Sequence, residues 1–63
     1  MSREVYVDEL REGLSATNNR TKETVLLVGE VEHDGCQSVW IVEGDNGLYL
    51  EYENNLDNPY YWG

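Results

Sequence analysis

The sequence predicts an α+β domain in which an N-terminal helix packs on a three-stranded antiparallel β-meander. Three observations support this fold class. Apolar residues recur at helical spacing within residues 3–17, runs rich in Val, Ile, Trp and Tyr follow from residue 24 onward, and short turn sequences separate those runs. A chain of 63 residues is expected to form a single compact domain with a thin core.

The helix is predicted from the spacing of apolar residues in residues 3–17. Tyr6 or Val7, Leu10 and Leu14 lie three and four positions apart, so they share one face of a helix. Such an amphipathic helix needs an apolar surface to cover, and the sheet that follows would supply it.

An alternative for the N-terminus stays open at this point. Val5, Tyr6 and Val7 are consecutive residues that favour extended backbone. They allow a short strand at 3–7, followed by a helix over roughly 9–16.

The first predicted hairpin joins the runs TVLLVGEVE and QSVWIVE, after a polar connection at residues 17–21. The Asp-Gly sequence between the runs suits a two-residue type I′ turn. That turn pairs Gly29 with Trp40 and Leu27 with Val42. The indole of Trp40 would then cover the bare backbone of the glycine.

The second predicted hairpin joins QSVWIVE to LYLEYE. The sequence DNG at 45–47 predicts a three-residue loop whose glycine is left-handed. This loop pairs Val42 with Leu50 and Trp40 with Tyr52. A two-residue loop would reverse the third strand and bury carboxylates without partners, which argues against it.

These registers assign the two faces of the predicted sheet. The core face carries Val25, Leu27, Val31, Trp40, Val42, Leu48, Leu50 and Tyr52. The opposite face carries an apolar patch flanked by acids, namely Leu26, Val28, Val39, Ile41 and Tyr49 with Glu30, Glu32, Glu43, Glu51 and Glu53. Residues 55–63 form an aromatic tail, predicted to fold onto the domain as a satellite cluster.

Charge is distributed unevenly along the chain. Thirteen acidic and four basic residues give a net charge of −9. The first 22 residues are neutral overall, whereas residues 23–63 hold nine acidic residues and no Lys or Arg. The domain therefore divides into a charge-neutral helical segment (1–22), an acidic meander (23–54) and the aromatic tail (55–63). Such asymmetry indicates an interaction surface.

Enzymatic, metal and cofactor chemistry are not expected. The chain has one histidine, His33, and one cysteine, Cys36, which flank a predicted turn and have no third group to orient them. Transition-metal sites need three or four ligands. The loop at 45–47 lacks the ligand spacing of a calcium site.

Composition also limits the partners and the compartment. Nucleic acid and anionic membranes attract Lys and Arg, so neither is expected to bind this acidic chain directly. The N-terminus lacks a long apolar stretch, and a single cysteine suits a reducing compartment. We therefore expect a cytoplasmic protein, monomeric or weakly homodimeric.

The predicted binding site is the acidic face of the sheet. Alternate residues on a strand lie about 6.6–6.8 Å apart and neighbouring strands about 4.8 Å apart, so the glutamates would form rigid rows of negative charge. A nucleic-acid backbone also presents regularly spaced negative charges, and the basic grooves that bind it do so largely through those charges. The residues expected to contact a basic partner are Glu30, Glu32, Glu43, Glu51, Glu53 and Tyr49.

Two other functions remain open from the residues alone. The apolar patch would suit a small protein–protein adaptor, or a homodimer interface. A chain rich in acids with one lysine also suits a salt-adapted domain without a basic partner.

The acidic strands Val28–Glu32 and Leu50–Glu53 resemble those of small phage-encoded inhibitors that mimic nucleic acid, among them anti-CRISPR proteins, anti-restriction proteins and uracil-DNA glycosylase inhibitors. The resemblance is one of composition and size. It implies an inhibitor that occupies a basic groove of a nucleic-acid-binding protein. The anti-CRISPR proteins look closest, which implies blockade of target-DNA binding by a CRISPR effector complex in the host cytoplasm.

Overall fold

A computed structural model describes residues 3–31 and 38–63 as one six-stranded antiparallel sheet. The strands run in the order β1-β6-β2-β3-β4-β5 across the sheet. A 3₁₀ turn, Glu53–Asn55, connects the last two strands of the chain. No helix in the described part of the chain is long and apolar enough to cross a membrane. The strands are β1 (Glu4–Tyr6), β2 (Ser15–Asn18), β3 (Glu23–Val31), β4 (Val39–Gly44), β5 (Gly47–Tyr52) and β6 (Leu56–Trp62).

The predicted α+β fold is wrong, because the described residues contain no α-helix. Residues 3–17, predicted to be helical, instead contain β1 and most of β2. The short strand considered for 3–7 is present as β1, whereas the helix over 9–16 is not. Gly13 has φ +92°, which no α-helix contains. Strand β2 pairs with β3 on one side and β6 on the other, and these tertiary bonds override the local helical spacing.

The aromatic tail is part of the sheet rather than a satellite cluster. It contains the whole of β6, which lies between β1 and β2. The Tyr60 ring packs against Tyr6, with centroids 5.5 Å apart, and edge-on against Trp62 at 5.8 Å. Arg3 and Gly63 therefore lie side by side, and the Arg3 N–H donates to the Gly63 carbonyl at 3.1 Å.

The first hairpin differs from its prediction by one residue. Leu27 pairs with Val42 as predicted, but the register then shifts, so that Gly29 pairs with Ile41 and not with Trp40. Val28 is the extra residue of this β-bulge. Trp40 consequently pairs with Glu30. The predicted Asp-Gly turn lies outside the described residues.

The second hairpin has the two-residue loop that the sequence argued against. Gly44 pairs with Gly47, and Trp40 pairs with Glu51 rather than with Tyr52. The left-handed glycine is confirmed, since Gly47 has φ +114°. The predicted three-residue loop is wrong because the carboxylate of Glu51 does have partners when buried, as described below.

The core lies on one face of the sheet, here called the inner face, and residues 7–14 cover part of it in place of a helix. Four residues of the predicted core are confirmed as buried: Val25, Leu27, Trp40 and Val42. The other four are exposed on the opposite, outer face, because of the shifted registers: Val31, Leu48, Leu50 and Tyr52. The buried cluster is completed by Leu14, Ala16 and Leu56, with Val7, Leu10 and Tyr49 packed against it.

Candidate functional site

The two register shifts divide the predicted acidic face. Glu30 and Glu51 flank Trp40 in one row, so both lie on the inner face. Glu43 pairs with Leu26 and lies on the outer face, where its side chain is exposed. The glutamates were predicted to share one face, and that part of the prediction is wrong.

The remaining predicted site residues also lie apart from one another. Glu53 begins the 3₁₀ turn after β5 and is half-buried. Tyr49 packs against the core from the inner face, and its hydroxyl accepts a hydrogen bond from Asn18 Nδ2 at 2.8 Å. Glu32 lies outside the described residues.

Glu51 is the centre of a buried polar network and is only 4% exposed. Its Oε1 accepts hydrogen bonds from Arg20 Nε and from Asn18 Nδ2, each at 2.8 Å, and lies 2.7 Å from Arg20 Nη2. Its Oε2 accepts from Asn55 Nδ2 at 2.9 Å and from the Tyr52 N–H at 3.2 Å. With this number of donors, the Glu51 carboxylate is saturated and is not available to a partner.

The network keeps the Glu51 carboxylate charged. Burial alone would raise the pKa of Glu51, but hydrogen bonds from Arg20, Asn55 and Asn18 outweigh burial and lower the pKa to about 2. The Arg20 side chain remains 57% exposed, so solvent still reaches the cation. The network ties the β4–β5 hairpin to the turn between β2 and β3.

Carboxylates from three separate parts of the chain converge on an open depression of about 500 Å³. Asp8 and Glu9 come from the connection between β1 and β2, Glu30 comes from β3, and Glu53 comes from the 3₁₀ turn. Together with Leu10, Trp40 and Asn54 they line what we call the acidic cleft. Among the described residues that line it, none is Arg or Lys.

The fold positions three of the four carboxylates of the acidic cleft by different local features. The Val7 N–H donates to the Pro59 carbonyl at 2.9 Å, which holds the chain just before Asp8. The bulge at Val28 turns Glu30 to the inner face. The Glu53 Oε1 accepts a hydrogen bond from the Ser38 N–H at 3.2 Å. The backbone therefore carries these acids on an ordered scaffold.

The chemistry of the acidic cleft suits a basic side chain. Leu10 is half-buried and supplies apolar surface along which the stem of a Lys or Arg can lie, while the carboxylates receive its charged end. Arg11 lies 3.8 Å from Glu9, but both side chains are exposed, and such a pair contributes little. No group of three or more His, Cys, Asp or Glu side chains in the described part of the chain is arranged to hold a metal ion.

Sequence reasoning missed Asp8, Glu9, Asn18 and Arg20 as parts of these sites. Asp8 and Glu9 were placed on a helix and treated as locally balanced by arginines. The run of β-formers before Asp8 was the signal that this segment is extended. Nothing local in the sequence reveals that Arg20 reaches Glu51, because 31 positions separate the two residues.

Comparison of the chain with protein-family models, curated proteins and solved structures found no significant match.

Proposed function

We propose that this protein is an inhibitor that mimics nucleic acid and occupies a basic groove of a nucleic-acid-binding protein. A CRISPR effector complex is the first target to test, with blockade of target-DNA binding as the effect. The observation that supports this proposal is the acidic cleft, where Asp8, Glu9, Glu30 and Glu53 converge with no Arg or Lys among its described lining residues. The site of action is the cytoplasm, where such complexes work.

The ordered scaffold is a second argument for binding through this cleft. Glu30, which is held on the sheet, and Glu53, which is held on a hydrogen-bonded turn, lose little conformational freedom when a partner binds. A disordered acidic segment would lose much more. The acidic cleft therefore replaces the continuous row of glutamates as the proposed contact surface. Glu51 is removed from that surface because Arg20 neutralises it internally.

The test is a competition titration with a guide-loaded CRISPR effector and a labelled target DNA. Addition of the protein should displace the DNA from the effector. The apparent affinity of the protein for the effector should fall steeply as the salt concentration rises, because charged contacts are screened and ions rebind to the basic groove. The protein alone should not shift the labelled DNA. An affinity that does not change with salt would contradict a charge-driven contact.

A pair of double variants with equal net charge locates the contact. Asp8→Lys with Glu30→Lys reverses two charges of the acidic cleft, whereas Glu12→Lys with Glu43→Lys reverses two exposed charges outside it. One exposed charge contact contributes about 0.2–1 kcal/mol, so reversing two should weaken inhibition about tenfold. The control pair should weaken it much less.

Circular dichroism of both variants must first show the parent spectrum. Equal losses for the two pairs would mean that total charge, and not the acidic cleft, determines binding. A larger loss for the control pair would move the contact to another surface. Glu51→Lys is unsuitable as a test, because it would place a cation beside Arg20 in the buried network.

A further inference from the structure

Strand β5 is an open edge of the sheet. It is the last strand in the order β1-β6-β2-β3-β4-β5, and within the described residues it pairs with β4 alone. The edge at the other end, β1, is only three residues long, whereas β5 has six. An unpaired edge strand presents backbone donors and acceptors that can pair with another strand.

The hydrogen-bond pattern shows which backbone groups of β5 face outward. The Glu53 N–H donates to the Ser38 carbonyl at 3.0 Å. This bond marks the adjacent pair, Val39 with Tyr52, as a pair that does not exchange hydrogen bonds directly. Such pairs alternate along an antiparallel ladder. The N–H and C=O groups of Leu48 and Leu50 therefore point away from β4, toward the open edge.

The same two residues carry exposed apolar side chains. The exposed fraction is 64% for Leu48 and 60% for Leu50, on the outer face. An open depression of about 630 Å³ adjoins this edge, and Leu50, Val31 and Val39 form part of its wall. Pairing with another strand would cover the leucine side chains and bond their backbone groups at the same time.

Charge does not protect this edge, although the chain carries a net charge of −9. Natural edge strands are commonly protected by Lys, by Pro or by inward-pointing charges. The sequence of β5 has neither Lys nor Pro. Its one charged residue, Glu51, does point inward, but Arg20 already neutralises it within the same copy, so a second strand would not leave this charge without a partner. Within Gly47–Tyr52, a second β5 would therefore bring no exposed carboxylates together, and the nearest acids, Asp45 and Glu53, lie just outside the strand.

We propose that β5 pairs antiparallel with β5 of a second copy of the chain, across a two-fold axis. Leu48 of one copy lies opposite Leu50 of the other in this dimer. That register joins the outward groups of both residues in four reciprocal backbone hydrogen bonds, and it sets leucine against leucine on the outer face. A second copy fits better than a basic partner, because the strand offers such a partner no exposed carboxylate. Basic surfaces are drawn to the acidic cleft instead.

The first test is the mass of the protein in solution, measured by sedimentation velocity over a wide range of concentrations in low and high NaCl. A dimer should form as concentration rises. Salt should strengthen the dimer, because it screens the repulsion between two acidic copies. Salt should therefore strengthen the dimer, whereas it should weaken the binding of the protein to a basic groove. A monomer under all of these conditions would overturn the proposal.

Variants distinguish edge pairing from stacking of the outer faces. Leu50→Pro removes an outward N–H without breaking the ladder to β4, so the monomer should fold while the dimer weakens about tenfold, since two of its four bonds are lost. Leu50→Ala keeps that N–H and should weaken the dimer less. The residue Leu26 lies on the outer face of an interior strand, so Leu26→Asp should leave the dimer intact. Loss of the dimer in Leu26→Asp with retention in Leu50→Pro would refute edge pairing.

Hydrogen exchange of the unmodified protein tests edge pairing whether or not Leu50→Pro folds. Hydrogen exchange of the Leu48 and Leu50 amides should slow as protein concentration rises, because these amides become bonded in the dimer. The amide of Leu26, on interior strand β3, serves as the reference. Equal exchange of the Leu48 and Leu50 amides in dilute and concentrated samples would contradict edge pairing.

Discussion

Replacing Glu51 by Gln removes the charge at the centre of the buried network and keeps the length of the side chain. The pKa of Glu51 falls from 4.5 to about 2 on folding, against the cost of burial and because of the hydrogen bonds from Arg20, Asn55 and Asn18. At about 1.36 kcal/mol per pKa unit, this fall corresponds to about 3 kcal/mol of stabilisation at neutral pH. We expect Glu51→Gln to lose about 2–3 kcal/mol.

The partner of Glu51 sets the upper limit of this loss. Breaking a fully buried ion pair typically costs about 3–5 kcal/mol, since one charge is left without compensation. The Arg20 side chain is 57% exposed, and water can hydrate it after the substitution. The loss should therefore lie at or below the lower end of that range. For a chain of 63 residues this is a large part of the total stability.

The sign of the pH dependence follows from the lowered pKa of Glu51. The stabilisation is complete above pH 4.5, the ordinary value, and is lost as the pH falls toward about 2, because protonation then removes the charge that Arg20 contacts. The difference in unfolding free energy between the parent and Glu51→Gln should be largest at neutral pH. It should shrink steadily in acid and vanish near the lowest pH.

Urea denaturation followed by circular dichroism at several pH values measures this difference. Glu43→Gln is the matched control, because Glu43 carries the same charge on the exposed outer face. It should change the unfolding free energy by no more than about 0.5 kcal/mol. Parallel curves for the parent and Glu51→Gln from neutral to acid pH would refute the argument that the buried charge stabilises the fold.

Three further predictions concern the core, the turn at Lys22, and the His33 and Cys36 side chains, to which no chemical role is assigned. Leu27→Ala should cost about 2–5 kcal/mol in urea denaturation because Leu27 is fully buried, while Leu48→Ala at the exposed edge should cost far less. Lys22 has φ 66°, so Lys22→Gly should raise the melting temperature through relief of about 1 kcal/mol of strain, and a lower temperature would contradict this. His33→Ala and Cys36→Ser should leave inhibition unchanged, and loss of inhibition with a native circular dichroism spectrum would restore a chemical role for these residues.

The strands β3, β4 and β5 were predictable because their signals are local. Each is a run of β-branched and aromatic residues bounded by glycine or polar turns. Four buried residues of the inner face followed from the same alternation, as did the left-handed conformation of Gly47. For these features the residues nearby in sequence are sufficient, whereas the registers between the strands are not local.

The N-terminal strands were not predictable in the same way. Leu10 and Leu14 have helical spacing and do pack toward the core, but from extended and irregular backbone. What determines β2 is its pairing with β3 and with β6, a strand from the far end of the chain. A helix predicted from periodicity alone takes no account of such a partner.

By itself, the sequence determined that the protein is acidic, that it is rich in β-strand from residue 24 onward, and that its apolar core is thin. Only the tertiary structure decided which carboxylates are available. Side chains alternate between the faces of a strand, so one extra residue at Val28 and one residue fewer in the loop before Gly47 moved Glu30 and Glu51 to the inner face. Burial of Glu51 is then possible because Arg20, remote in sequence, supplies the opposite charge.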